Sequence, residues 1–187
     1  IRDSSPYPTN SLFGSLECGG NGDCLFHCIA YSLNSVNDEF YDYNDIRVGI
    51  ADSITECQFN DIISCYRSMK DIDDFNESWD PYEITTLELF KQQVKEPGNA
   101  CWGDHLIIQL LTHVYNINIF ILSQNELLHT FEPYLLCQTY DKTYNTILLL
   151  HENDSHFKLV GHFMGMMHVN FTDKTLPLEI IRLFNLK

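Results

Sequence analysis

The sequence predicts an α+β domain, and three observations carry that reading. Apolar residues recur at helical spacing through the first half, and β-branched and leucine-rich runs of strand length fill the second. A length of 187 residues with 44% hydrophobic content suits one buried core. A chain passing from helices to strands in this order predicts helices flanking a small, mainly antiparallel sheet.

Residues 1–17 mix Pro, Ser and Asn without sustained period and read as an extended lead-in, leaving residues 18–187 as a single domain. From Cys24 to Leu33, residues Leu25, Ile29 and Leu33 form an i, i+4 stripe with Phe26 and Ala30 beside it, and Asp23 stands at the N-cap position. A second helix over Asp45 to Cys57 uses Ile46, Ile50 and Ile54 in the same spacing, and a third covers Asp61 to Met69. Asp71 to Asp80 carries five acidic residues in ten and reads as a solvated loop that can touch a basic partner. Helical pattern returns from Ile84 to Val94 and stops at Pro97-Gly98-Asn99. A tight turn at Cys101-Trp102-Gly103 then feeds a strongly apolar helix after Asp104. Ile117 to Leu122 is a β-branched strand, with further strands expected at Leu127 to Phe131, Thr146 to Leu150 and Phe157 to Val160. The tail from Leu176 to Phe184 reads as a short helix with Pro177 in its first turn.

Eleven basic against 26 acidic residues give a net charge of −15, which argues against nucleic acid as a partner. Such a surface attracts basic protein patches, or simply keeps the chain soluble. The sequence has no apolar stretch of about 18 residues, no basic-then-apolar leader and no lipidation box, so no membrane association is expected. It begins at Ile1 and therefore reads as a piece of something longer. Seven cysteines without a CxxC pair fit a reducing, cytoplasmic compartment better than a disulfide scaffold. His151, His156, His162 and His168 suit no single helix face and lack thiolate or carboxylate partners at ligand spacing, so no metal is expected.

The chemistry concentrates in three blocks. In Asn21-Gly22-Asp23-Cys24-Leu25-Phe26 a cysteine opens an amphipathic helix just after a glycine loop. The helix N-terminus favours a thiolate there, and loop N–H groups can hold an oxyanion. Cys28, one turn on, reads as a packed hydrophobe. Far downstream, the apolar run ending at His151 is followed by a polar turn and a second strand opening with His156-Phe157. Between them lies Cys101-Trp102-Gly103-Asp104.

These blocks, in this order, resemble the ovarian-tumour (OTU) family of cysteine isopeptidases, whose signatures are an Asp-Gly-Asn-Cys-Leu-Phe box, a Trp-Gly block and a His-aromatic pair. The resemblance runs from about Gly19 to Val160. The chain departs from the pattern with Asn21 and Asp23 exchanged and with Lys158 where many members place Asp or Asn. The resemblance implies a papain-like fold, Cys24 as nucleophile and His156 as general acid/base. It also implies an oxyanion hole from the backbone of Gly22, Asp23 and Cys24, and a groove shaped by Trp102, Gly103 and Phe157. A purely structural role for Trp102 is an equal alternative.

Lys158 cannot accept an imidazole N–H. In some members the orienting residue is the first of the cysteine box, here Asn21, with Asp154 and Asp23 as alternatives. The implied activity is thioester-mediated removal of ubiquitin, from polyubiquitin or other conjugates, or of a ubiquitin-like modifier, by a monomer without cofactor. Compact members occur in viruses and intracellular bacteria as well as eukaryotes, where the implied role is reversal of host ubiquitin signals in the host cytosol. A general papain-like peptidase and a catalytically silent ubiquitin-binding module are the alternatives.

Overall fold

A computed structural model of the chain describes residues 12–125, 130–136, 139–152 and 155–186. Helix α1, Cys24–Asn34, follows the expected stripe, with Leu25, Phe26, Cys28, Ile29 and Leu33 all buried. The expected second helix ends early. Helix α2 is Tyr43–Ser53, the backbone turns extended at Ile54 (ψ 122°), and α3 begins at Glu56 and runs to Asp71. A capping box makes the break: Gln58 N–H donates to Thr55 Oγ1 at 3.3 Å, and Thr55 N–H donates to Gln58 Oε1 at 3.0 Å.

Helix α4, Leu87–Lys95, starts at an N-cap Thr86, so Ile84 is buried just outside it. Helix α5, His105–Tyr115, is capped by Asp104, whose Oδ1 accepts from the N–H groups of Leu106 and Ile107, each at 3.0 Å. It ends on Asn116 in the left-handed region, φ 50°.

The strands are β1 Phe13–Leu16, β2 Ile117–Asn125, β3 Thr130–Leu136, β4 Asn145–Glu152, β5 His156–Phe163 and β6 Met167–His168. Of the expected strand over Leu127 to Phe131, residues 127–129 lie outside the described residues, and β3 carries the rest on to Leu136. The sheet order is β1-β5-β4-β2-β3, with β6 also on β5. Every pairing is antiparallel except β2 with β4. This is the α+β architecture with a mainly antiparallel sheet that the sequence predicts.

The end of the supposed lead-in is an edge strand of this sheet, with Phe13 opposite His162 and Leu16 opposite Leu159. Four residues are too few to show a period, and the strand exists because β5 offers it a partner.

Both faces of the central strands are covered, which is why they read as continuous apolar runs. Ile119, Ile121, Ile147, Leu149 and Leu159 join the helices in one core. Phe120, Leu122, Leu148, Leu150 and Val160 face a second core closed by Phe171, Leu176 and helix α6, Leu178–Leu183, with Pro177 just ahead of its first turn.

The acidic segment 71–80 is less solvated than expected. Phe75 and Trp79 set their rings edge-on against buried Tyr66, 5.4 Å between centroids in each pair. Asp71 accepts from Tyr82 Oη at 2.7 Å, and Asp80 pairs with Lys70 at 2.9 Å. Among the described residues, no helix is long and apolar enough to cross a membrane.

Candidate active site

The cysteine box is a left-handed turn followed at once by α1. Asn21 (φ 59°) and Gly22 (φ 90°) both have positive φ. A Cβ on Gly22 would strike the Gly98 carbonyl and the Asn99 side chain, so only glycine fits. Asp23 occupies the N-cap position, but its side chain caps nothing.

Its carboxylate accepts instead from Gly98 N–H, at 3.0 and 2.9 Å, and from Arg47 Nε at 2.8 Å. Arg47, fully buried, also donates to the carbonyls of Val94 (3.0 Å), Gly98 (3.2 Å) and Cys101 (3.1 Å), with its guanidinium 3.8 Å from the Phe26 ring centroid. One cation thus ties α1, α2, α4 and the loop before Trp102 to the turn carrying the thiol.

The same contacts remove Asp23 from consideration as an imidazole partner. Its N–H is also engaged, donating to the Gly20 carbonyl at 3.2 Å. Of the three groups expected to hold an oxyanion, the N–H donors of Gly22 and Cys24 have no backbone acceptor among the described residues.

Cys24 and His156 come from opposite ends of the chain to adjoining positions. Phe157 N–H, the peptide group that follows His156, donates to Cys24 Sγ at 3.4 Å. No hydrogen bond joins sulfur and imidazole in this resting geometry, and such contacts commonly tighten only when substrate binds. Burial raises the thiol above its ordinary range; the N–H groups of Phe157, Leu25 and Cys24 pull it back, and the Glu17 charge adds to the rise. The helix-end effect expected from the sequence is therefore outweighed.

The imidazole Nε2 donates to Glu17 Oε1 at 2.7 Å. Asn21, the expected partner, is exposed on its turn, and the ring bonds Glu17 instead. Asp154 lies outside the described residues. Lys158 Nζ sits 2.9 Å from Glu152 Oε2 and 4.0 Å from Glu17 Oε2.

A cleft of about 520 Å³ opens over Cys24, lined among others by Gly22, Trp102, Gly103, Tyr134, His151 and Phe157. A Cβ on Gly103 would fall on the Leu25 side chain, so this glycine lets the loop lie directly against α1. Trp102, 37% exposed, is a wall of the cleft and not a core residue. Its indole N–H donates to Asn99 Oδ1 at 3.2 Å, and its backbone N–H to the Glu77 carboxylate at 3.2 and 3.3 Å.

Burial raises the Glu77 carboxyl to about 7, with the Trp102 N–H opposing and the Asp104 charge adding. On the other wall, His151 lies between Tyr134 and Phe157 with its ring tilted against both, centroids 5.0 and 4.9 Å away. It therefore faces the cleft. Among the described residues no group of three or more His, Cys, Asp or Glu side chains is arranged to hold a metal.

A thiol at a helix start, beside the strand that carries His156 and under a Trp-Gly wall, is a thiol-protease layout. The model of the OTU-like cysteine protease family matches residues 19–163. The chain belongs to that family.

Solved OTU domains share the fold of this OTU-like protease over most of the chain. An OTU domain in complex with ubiquitin aligns at TM-score 0.56 and 14% identity, over 91% of this chain and 81% of that one. An OTU deubiquitinase from Wolbachia pipientis wMel aligns at 0.51 and 17%, over 95% and 98%. The OTUD1 OTU domain aligns at 0.51 and 12%, over 79% and 85%. A search of curated proteins gave no match.

Glu17, Arg47, Glu77, Tyr134 and His151 are site residues of this OTU-like protease that sequence reasoning missed. Arg47 had a signal, since it falls on the buried stripe of α2 with Ile46, Ile50 and Ala51. Glu17 had none in the linear sequence, because its place depends on strand register.

Proposed function

We propose that this OTU-like cysteine protease is a deubiquitinase that cleaves after the C-terminal glycine of ubiquitin or a ubiquitin-like modifier. The observation that carries the reading is the meeting of Cys24 Sγ with the peptide N–H after His156, beneath a cleft walled by Trp102 and Gly103. His156 takes the thiol proton, and the thiolate adds to the glycine carbonyl carbon. The oxyanion is held by the N–H groups of Gly22 and Cys24. Collapse expels the lysine amine, which receives its proton from His156, and leaves a thioester on Cys24. The imidazole then draws a proton from water, whose attack releases the free carboxylate and the thiol.

A net charge of −15 suits the arginines of a ubiquitin tail. Unpaired cysteines, six among the described residues, suit the cytosol.

Incubation with ubiquitin bearing a C-terminal electrophile tests this. Adduct on the parent chain and none on Cys24→Ala is the expected result; turnover of ordinary peptides without adduct would assign a general peptidase instead. The raised thiol, lacking an imidazole hydrogen bond, favours a second reading, a ubiquitin-binding domain without turnover. Binding of ubiquitin with no adduct would establish that one.

A further inference from the structure

We infer that Glu17 is the positioning residue for His156, a role the linear sequence suggested for Asn21; this rests on the deubiquitinase reading. Because a carboxylate only accepts, the 2.7 Å contact puts the ring proton on Nε2 and leaves Nδ1 as the basic nitrogen. It also holds the ring against rotation. Glu17 reaches this place through register. Leu16 is opposite Leu159, so the next residue of the chain stands opposite Lys158 and diagonal to His156.

Lys158 shares a sheet face with His156, and a cation there works against an imidazolium. Two acids, one at the end of β4 and one just past β1, bracket the pair. Glu152 on β4 takes the lysine at 2.9 Å, while Glu17 bonds the imidazole through Oε1 and turns Oε2 toward the lysine at 4.0 Å. The lysine that breaks the family pattern thus helps hold the acid that replaces the missing one. The orienting carboxylate comes from the residue just past the neighbouring strand β1 instead of the histidine's own strand.

Histidine side-chain NMR on the full chain, parent against Glu17→Ala and Glu17→Gln, tests the assignment without any ubiquitin. The parent is expected to show His156 as the Nε2–H tautomer, with Glu17→Ala mixing tautomers. With a fluorogenic ubiquitin amide, Glu17→Ala should lower kcat roughly tenfold or more at nearly constant KM. Glu17→Gln should retain part of the rate, and Glu17→Ala with Lys158→Asp should regain it by placing an acceptor on the histidine's own strand. An unchanged His156 tautomer in Glu17→Ala would overturn the proposal, as would a loss of kcat that tracks a fall in melting temperature in both Glu17 variants. A parent without turnover would sink the deubiquitinase reading alone, since the NMR comparison still decides for or against Glu17.

Discussion

Replacing Arg47 with alanine tests whether the cation beneath the cysteine turn holds the site together. The guanidinium is fully buried and the Asp23 side chain is 9% exposed, so the variant leaves a carboxylate inside the protein facing little beyond Gly98 N–H. Breaking a buried pair by removing one partner costs about 3–5 kcal/mol. The carbonyls of Val94, Gly98 and Cys101 lose their donor as well, which places the loss toward the upper end. For a chain of this size the same energy corresponds to a fall in Tm of roughly 6–20 °C.

Urea unfolding followed by circular dichroism measures the difference, and a double variant with Asp23→Asn measures the coupling between the two side chains. Gly98 and Asn99 abut Gly22, so adduct formation at Cys24 should slow in parallel. A loss under about 1 kcal/mol would refute the reasoning, because the pair would then be behaving like an exposed one.

Two further outcomes are expected. Glu77 sits near 7 in the folded chain against an ordinary 4.5, so the folded state keeps a proton that the unfolded state releases. Its contribution is therefore most favourable below pH 4.5 and is lost as pH rises to about 7. Tm measured against pH should fall less steeply through that window in Glu77→Gln, and superimposable slopes would contradict the assignment. Gly103→Ala places a methyl on Leu25 and should destabilise by about 1–3 kcal/mol while slowing adduct formation; a variant with unchanged melting and labelling would show that the loop yields freely.

Helix α1 and its thiol were legible because local patterning and tertiary packing agree there: the apolar stripe, the glycine turn and the helix start all fall within a dozen residues. The boundary between α2 and α3 was also written in the sequence, as Thr55 followed three residues later by Gln58, but the unbroken Ile46, Ile50, Ile54 spacing concealed it. In the acidic segment, Phe75 and Trp79 stand four apart and pack inward, a sign that charge density obscured. The partner of His156 belongs to a different class. Nothing between Ser15 and Cys18 marks an acid for catalysis, since what selects Glu17 is antiparallel pairing with a strand more than a hundred positions away.

The family match begins at residue 19, two positions beyond Glu17 and three beyond the last residue of β1. A polypeptide trimmed to that limit would retain both the sulfur and the imidazole yet lose the border of the sheet next to them. Were such a fragment inert, the deficit would trace to its missing margin, and the nucleophile would stand unaccused.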